Sequence, residues 1–147
     1  MNTRCSRLTL AFLLLAMIGC REKRGTYVEH YENGQVKSEE SYFDGKKWGS
    51  WTAYHENGQL WVREEYVDGK RVGVRKVWSP DGTKMSETPY KDGKMHGKTK
   101  SWEKDGRLSS TCEYQHGKEH GEFINYKADG TVYFVWRYIN GNRVSTK

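Results

Sequence analysis

Motifs that carry chemistry are missing from this chain of 147 residues. It has no phosphate-binding loop, nucleophile elbow, dinucleotide fingerprint or paired-histidine metalloprotease motif. No catalytic residue and no cofactor is therefore expected. Cysteine is scarce, at three residues, and two of them, Cys5 and Cys20, lie in the N-terminal stretch. Cys112 then stands alone, so an internal disulfide is excluded. With no histidine beside it in sequence, it is expected to be a small packed side chain rather than a nucleophile. Apolar runs long enough to cross a bilayer are missing too. Leu8 to Ile18 spans eleven residues, short of the ~20 that a membrane-crossing helix requires. Hydrophobic residues make up only 35% of the chain, too few for a thick core. The net charge of +6 comes from basic residues spread among glutamates. That pattern is not a nucleic-acid footprint, and no nucleic-acid partner is expected.

What the chain does have is a period. Gly34, Gly58, Gly82, Gly106 and Gly130 are 24 residues apart, as are Gly45, Gly69, Gly93, Gly117 and Gly141. A third column, Gly49, Gly73, Gly97 and Gly121, keeps the step until Ser145. Such a period marks a stack of small units. The first column closes Asn-Gly or Asp-Gly pairs, the strongest short hairpin signals. The second follows Asp44, Asp68, Asp92, His116 and Asn140 in another turn, which the third glycine is expected to end as a longer loop. Those aspartates are expected to cap local backbone. Segments of six to nine residues rich in Tyr, Trp, Val and Thr lie between the turns, lengths that suit strands. The expected fold is all-β: five tandem 24-residue hairpins in an elongated, single-layer antiparallel meander of ten strands, running roughly 45–50 Å.

Aromatic columns keep the same clock. Tyr42, Tyr66, Tyr90, Tyr114 and Tyr138 form one, and Tyr54, Trp78, Trp102 and Tyr126 another. Cross-strand aromatic neighbours contribute about 0.2–1 kcal/mol per pair, and such ladders would stand in for a core. A bulged three-residue Asn-Gly loop would gather these columns with Val36, Leu60, Leu108 and Val132 on one face. Pro89 cannot donate a ladder hydrogen bond, so a bulge or gap is expected there. The last unit adds Phe134, Val135 and Trp136, either as a cap or as a docking patch.

Residues 1–19 have the form of a secretory signal, with Arg4 and Arg7 ahead of the apolar run. Met17-Ile18-Gly19-Cys20 resembles a bacterial lipobox, with Met17 where leucine is usual. That resemblance implies acylation of Cys20 and a lipid anchor, against the alternative of an ordinary signal cut nearby. Either way the mature chain is expected in the bacterial cell envelope, outside the cytoplasm. Removing 19 residues leaves 128, and losing the two arginines lowers the net charge from +6 to +4. Residues 20–26 would form a short basic tether and residues 27–147 the five repeats.

The stretch Tyr54-His55-Glu56-Asn57-Gly58-Gln59-Leu60, followed by Glu65-Tyr66-Val67-Asp68-Gly69-Lys70-Arg71-Val72-Gly73, resembles a MORN repeat in its variant form. The resemblance covers about residues 27–147. It implies a non-enzymatic interaction scaffold, linked in that family to membrane attachment, protein assembly and sometimes lipid headgroups. Bacterial proteins of this type include YwqK-type antitoxins, a role that export from the cytoplasm argues against unless the toxin acts in the envelope. An unknown protein partner is expected, and an anionic lipid or glycan is the alternative ligand. Candidate partner-binding residues are Trp48, Trp51 and Trp61, which fall outside the repeat columns, with the stripe Lys46, Lys70, Lys94 and Lys118. Filling the N-terminal end of the sheet is the other role open to the tryptophans, and a solvated edge the other role open to the lysines. His96, His116 and His120 have the chemistry to hold zinc, but solvated loops and a separation of roughly 10 Å for positions 24 apart argue against it. No metal is expected.

Overall fold

The computed structural model describes residues 23–144. The proposed signal, Cys20 and residues 145–147 lie outside that range. The strands are β1 Gly25–His30, β2 Val36–Phe43, β3 Lys46–Tyr54, β4 Leu60–Val67, β5 Lys70–Trp78 and β6 Lys84–Lys91. They continue with β7 Lys94–Met95, β8 Gly97–Trp102, β9 Leu108–Gln115, β10 Lys118–Tyr126, β11 Val132–Ile139 and β12 Asn142–Val144. All belong to one open antiparallel sheet in chain order, with β7 on β6. The described residues contain no helix. With β7 and β8 counted as one interrupted strand, β1 to β11 form the expected meander and β12 adds a short further strand.

Two turn types alternate, and each follows from its residues. In the Asn-Gly loops, Gly58 N donates to the His55 carbonyl at 2.9 Å and His55 N to the Gln59 carbonyl at 2.8 Å. Gly58 alone takes positive φ, at 81°, while the Asn57 Oδ1 accepts from Gln59 N at 3.1 Å. This is the bulged three-residue loop, pairing Tyr54 directly with Leu60. The Asp-Gly turns are tighter than expected. Val67 pairs with Lys70, and both Asp68 (φ 51°) and Gly69 (φ 76°) are left-handed, the mark of a two-residue type I′ turn. Backbone capping therefore belongs to Asn33, Asn57, Asp81, Asp105 and Asp129. Asp44, Asp68 and Asp92 serve instead as left-handed turn residues.

Because two residues suffice for that turn, the third glycine ends no loop. Gly49, Gly73 and Gly121 lie within strands, and Gly97 opens β8. Their φ values are 81°, 67°, 103° and 109° respectively. The register jumps beside them: Glu40 pairs with Trp51 and Tyr42 with Lys47, so Ser41 faces three residues. Each is a bulge that bends its strand. Pro89 does bring a gap, but on the neighbouring strand. His96, which donates to the Pro89 carbonyl at 3.0 Å, separates β7 from β8. Among the described pairs only Ser86–Ser101 and Glu87–Lys100 join β6 to β8.

Residues directly opposed across the strands define two faces. Ser38, Glu40, Tyr42, Lys47, Trp51, Ala53, Val62, Glu64, Tyr66 and Arg71 share one of them. The tyrosine column continues along it to Tyr138. These five tyrosines are half-buried. Of the described apolar residues, only Ala53, Val62 and Cys112 are buried, as a single layer requires. The second aromatic column does not join this face. Tyr54 lines a shallow recess with Val36 and Glu39, and Glu39 opposes Thr52 on the other side. The bulged loop gathers Tyr54 with Val36 but leaves Tyr42 opposite, because alternation along β2 and β3 continues up to the bulge.

Candidate binding face

The tyrosine face is held by cations that the sequence reading passed over. Lys23 Nζ lies 4.3 Å from the Tyr42 ring and Lys47 Nζ 5.4 Å from the Tyr66 ring. Arg71 Cζ lies 5.7 Å from Tyr66 and 4.7 Å from Tyr90. Each cation thus reaches a tyrosine of the following hairpin, and cation–π contacts of this kind contribute about 0.5–1 kcal/mol at exposed sites. Carboxylates lie between them. Glu40 accepts from the Tyr42 hydroxyl at 2.5 Å and Trp51 Nε1 at 3.0 Å, with Lys47 Nζ at 3.5 Å. Glu64, whose side chain is only 4% exposed, accepts from the Tyr66 hydroxyl at 2.5 Å and Arg75 Nε at 2.7 Å. Arg71 Nε is 3.0 Å from Glu64 as an ion pair, without hydrogen-bond alignment.

These contacts fix protonation. The Tyr42 hydroxyl, then Trp51 and Lys47, hold the Glu40 carboxyl below its usual range despite partial burial. Donation to Glu40 pushes the Tyr42 phenol up to about 12. Burial, then Glu64, raises that of Tyr66. In the C-terminal half the cation column becomes Met95 and Glu119. There burial pushes Tyr114 up to about 12 and raises the Cys112 thiol as well. Cys112 is the packed thiol expected. The row interleaves carboxylates that accept from phenols with cations over the rings, an arrangement suited to holding a sheet together.

The opposite face carries most of the sequence candidates. Lys46, Lys70, Lys94 and Lys118 lie along its turn edge, and their Cβ atoms come within 3.7–3.8 Å of where Gly69, Gly93, Gly117 and Gly141 would carry a side chain. Lys46 Nζ reaches Asp68 at 2.5 Å. Trp48, pushed out on the Gly49 bulge, is 47% exposed and rests against Phe43 at 6.0 Å. Trp61 is 44% exposed and lies against His55 at 5.8 Å. Phe43, Val67 and Val74 are exposed on the same side. Trp51 is the exception: its bond to Glu40 places it on the tyrosine face. The structure therefore brings Trp48, Trp61 and the lysines onto one face and separates Trp51 from them.

The expected spacing of roughly 10 Å concerned His96 and His120, and the ring contact falls on a different pair. The His96 and His116 rings are 5.3 Å apart, because each Asp-Gly-type turn folds onto the hairpin before it: Gly117 N donates to the Met95 carbonyl at 2.8 Å. His96 and His120 line a recess of about 300 Å³ with Glu113 and Tyr114. Among the described residues, no three His, Cys, Asp or Glu side chains are placed to hold a metal ion. The signal for the cation column was present in the sequence, since Lys23, Lys47, Arg71 and Arg143 also keep the 24-residue step. The adjacent, more uniform lysine column masked it.

The family described as MORN repeat variant matches residues 23–44, 49–68 and 71–92. The same strand register continues beyond that match through β12. Comparison with curated proteins finds no match.

Proposed function

From a chain that carries three MORN variant repeats, a repeat-scaffold module, we propose a non-enzymatic, membrane-anchored scaffold that binds another protein in the bacterial cell envelope. Cys20 would carry the anchor, and Lys23 and Arg24 follow it closely at the start of the sheet. The observation that carries the reading is the outward face of β2 to β5, where Phe43, Trp48, Trp61, Val67 and Val74 stand exposed. Apolar groups left in water by a single layer, and rimmed by lysines, suit a protein partner. Exposed tryptophans are favoured anchors at such contacts. The other face supports them rather than competing for the role, because its tyrosines, cations and carboxylates already satisfy one another.

A second reading rests on the lysine edge. Lys46, Lys70, Lys94 and Lys118 form a row beside successive turns. Near an anionic surface each lysine contributes about 1 kcal/mol, so an anionic lipid or glycan is the rival ligand.

Two steps test the proposal. Membrane fractionation of Cys20→Ser should find the protein released, and unchanged retention removes the anchor. Affinity capture of the full chain from solubilised envelope, beside a Trp48→Ala/Trp61→Ala variant, should enrich one protein that the variant loses. Recovery of lipid or glycan alone, lost in a Lys70→Ala/Lys94→Ala variant, favours the rival.

A further inference from the structure

The strands that flank each Asp-Gly-type turn pair alike, except where β6 meets β8. Beside its bulge, β2–β3 keeps the pair Glu40–Trp51, β4–β5 keeps Glu65–Val72, and β9–β10 keeps Cys112–Phe123. The counterparts at β6–β8 are Thr88–Thr99 and Pro89–His96, and neither joins the ladder. What remains at that point is a bond from His96 N to the Pro89 carbonyl at 3.0 Å. A strand residue points its N–H and C=O at the same neighbour. The N–H that proline lacks is therefore the one that would have faced His96.

Side chains follow the same division. Across β4–β5, Glu64 holds Arg75 Nε at 2.7 Å and Arg71 Nε at 3.0 Å. Twenty-four residues on, these three places carry Thr88, Thr99 and Met95. None of them can form an ion pair, and the Thr99 hydroxyl turns away to the Cys112 carbonyl at 3.0 Å. Lys84, over the Trp102 ring at 4.2 Å, does cross from β6 to β8.

The Asn-Gly loops add a second, independent break. Asn33 Nδ2 donates to the Glu56 carbonyl at 3.1 Å, and Asn57 Nδ2 to the Pro80 carbonyl at 2.7 Å. The Tyr31 hydroxyl donates to the Tyr54 carbonyl at 2.7 Å, and His55 Nε2 to the Trp78 carbonyl at 3.0 Å. The first loop is thus fastened to the second, and the second to the third. From the third loop onward Asp81, Asp105 and Asp129 replace the asparagine. Each accepts from its own loop, but a carboxylate has no N–H to give to the next. Beyond the seam, the Lys98–Glu113 and Arg137–Glu122 pairs lie in exposed side chains and contribute little.

In a repeat array, stability is a sum of unit terms and nearest-neighbour terms, and cooperativity is lost where a neighbour term is small. We infer that the sheet divides at the β6–β8 seam into two units, with β8 to β10 opening while β1 to β6 stay folded. The outward face of β2 to β5 falls within the first unit and keeps its shape through that opening. The division rests on contacts inside the sheet and stands whether or not that face binds a protein.

Native-state hydrogen exchange of the full-length protein, resolved by peptide mass spectrometry across a denaturant series, tests it. Amides of residues 97–126 should exchange on the order of tenfold faster than those of residues 36–78, and lose protection at a lower denaturant concentration. Pro89→Ser restores the missing donor with the residue that stands at this place as Ser41, and should narrow that gap. Asn57→Asp removes a loop fastening at an exposed position. It should speed exchange in residues 60–78 and leave 97–126 unchanged. One step shared by β2 to β10, or an equal change in both units for Asn57→Asp, overturns the division. A gap that Pro89→Ser leaves untouched overturns the seam as its cause.

Discussion

Replacing Glu64 with glutamine keeps the side chain's shape and removes its charge, so it isolates what the carboxylate does for the sheet. Glu64 is 3% exposed as a residue. It holds the Tyr66 hydroxyl at 2.5 Å and Arg75 Nε at 2.7 Å, with Arg71 Nε at 3.0 Å. Hydrogen bonds to charged groups contribute about 1.5–3 kcal/mol each, against about 0.5–1.5 for neutral ones. The change therefore costs roughly 1 kcal/mol at each of two bonds and weakens the Arg71 contact. The arginine side chains are 30% and 31% exposed, so water recovers part of their loss, and the expected cost is about 2 kcal/mol. At roughly 3–5 °C per kcal/mol for a domain of this size, the melting temperature should fall by about 6–10 °C. Thermal melts followed by circular dichroism at pH 7 provide the measurement. Glu29→Gln serves as a control, since that side chain is 60% exposed and its solvent-screened pair with Lys37 should contribute little. Melting of Glu64→Gln within ~2 °C of the parent would refute the claim that this buried carboxylate organises the tyrosine face.

Further outcomes follow from other contacts. Asp81 is held at about 2 by Ser79 and Thr83, below its ordinary 3.8, and Glu40, Asp68, Asp105 and Asp129 are lowered too. Their stabilisation is fully present above the unfolded-state values and disappears as pH falls through the folded ones. The melting temperature should therefore drop between pH 4 and pH 2, and a flat profile there would contradict these contacts. Gly121→Ala should cost more than Gly106→Ala. An added Cβ at position 121 meets Glu113 Oε2 at 2.4 Å and Cβ at 3.1 Å, whereas position 106 is open. Both carry left-handed strain of about 1–3 kcal/mol, so equal melting temperatures would remove the close approach from the argument. Cys112, buried and with its thiol pKa raised, should resist maleimide in the native state and react once unfolded. Peptide mapping by mass spectrometry checks this, and rapid native labelling would contradict the packing.

Most of the fold was legible because the turn residues repeat. Asn57-Gly58 and Asp68-Gly69 announce reversals, and the 24-residue step fixes their order in the sheet. What sequence could not separate was the conformation of similar turns. Asn57 caps with its side chain, while Asp68 itself takes positive φ, and both precede a glycine. The bulge at Gly49 was equally hidden, since a glycine after a turn has the same letter whether it ends a loop or bends a strand. Misreading that glycine concealed why Trp48 projects outward. The two aromatic columns looked alike by spacing, but face assignment depends on alternation interrupted at each Asn-Gly bulge, which places Tyr54 and Tyr42 apart. Pattern alone put forward Trp48, Trp51, Trp61 and the lysine stripe together, and the structure divides them between the two faces. Trp51 lies apart from the others, and nothing in its spacing reveals the Glu40 carboxylate that accepts from its indole.

The most direct test of the scaffold reading is site-specific photo-crosslinking in living cells. A benzophenone amino acid would replace Trp48 or Trp61 on the outward face, or Met95 on the tyrosine face. The account predicts one discrete cross-linked protein from positions 48 and 61 and little from 95. Cross-links confined to position 95, or none from any of the three, would contradict the claim that the outward face of β2 to β5 binds a protein partner.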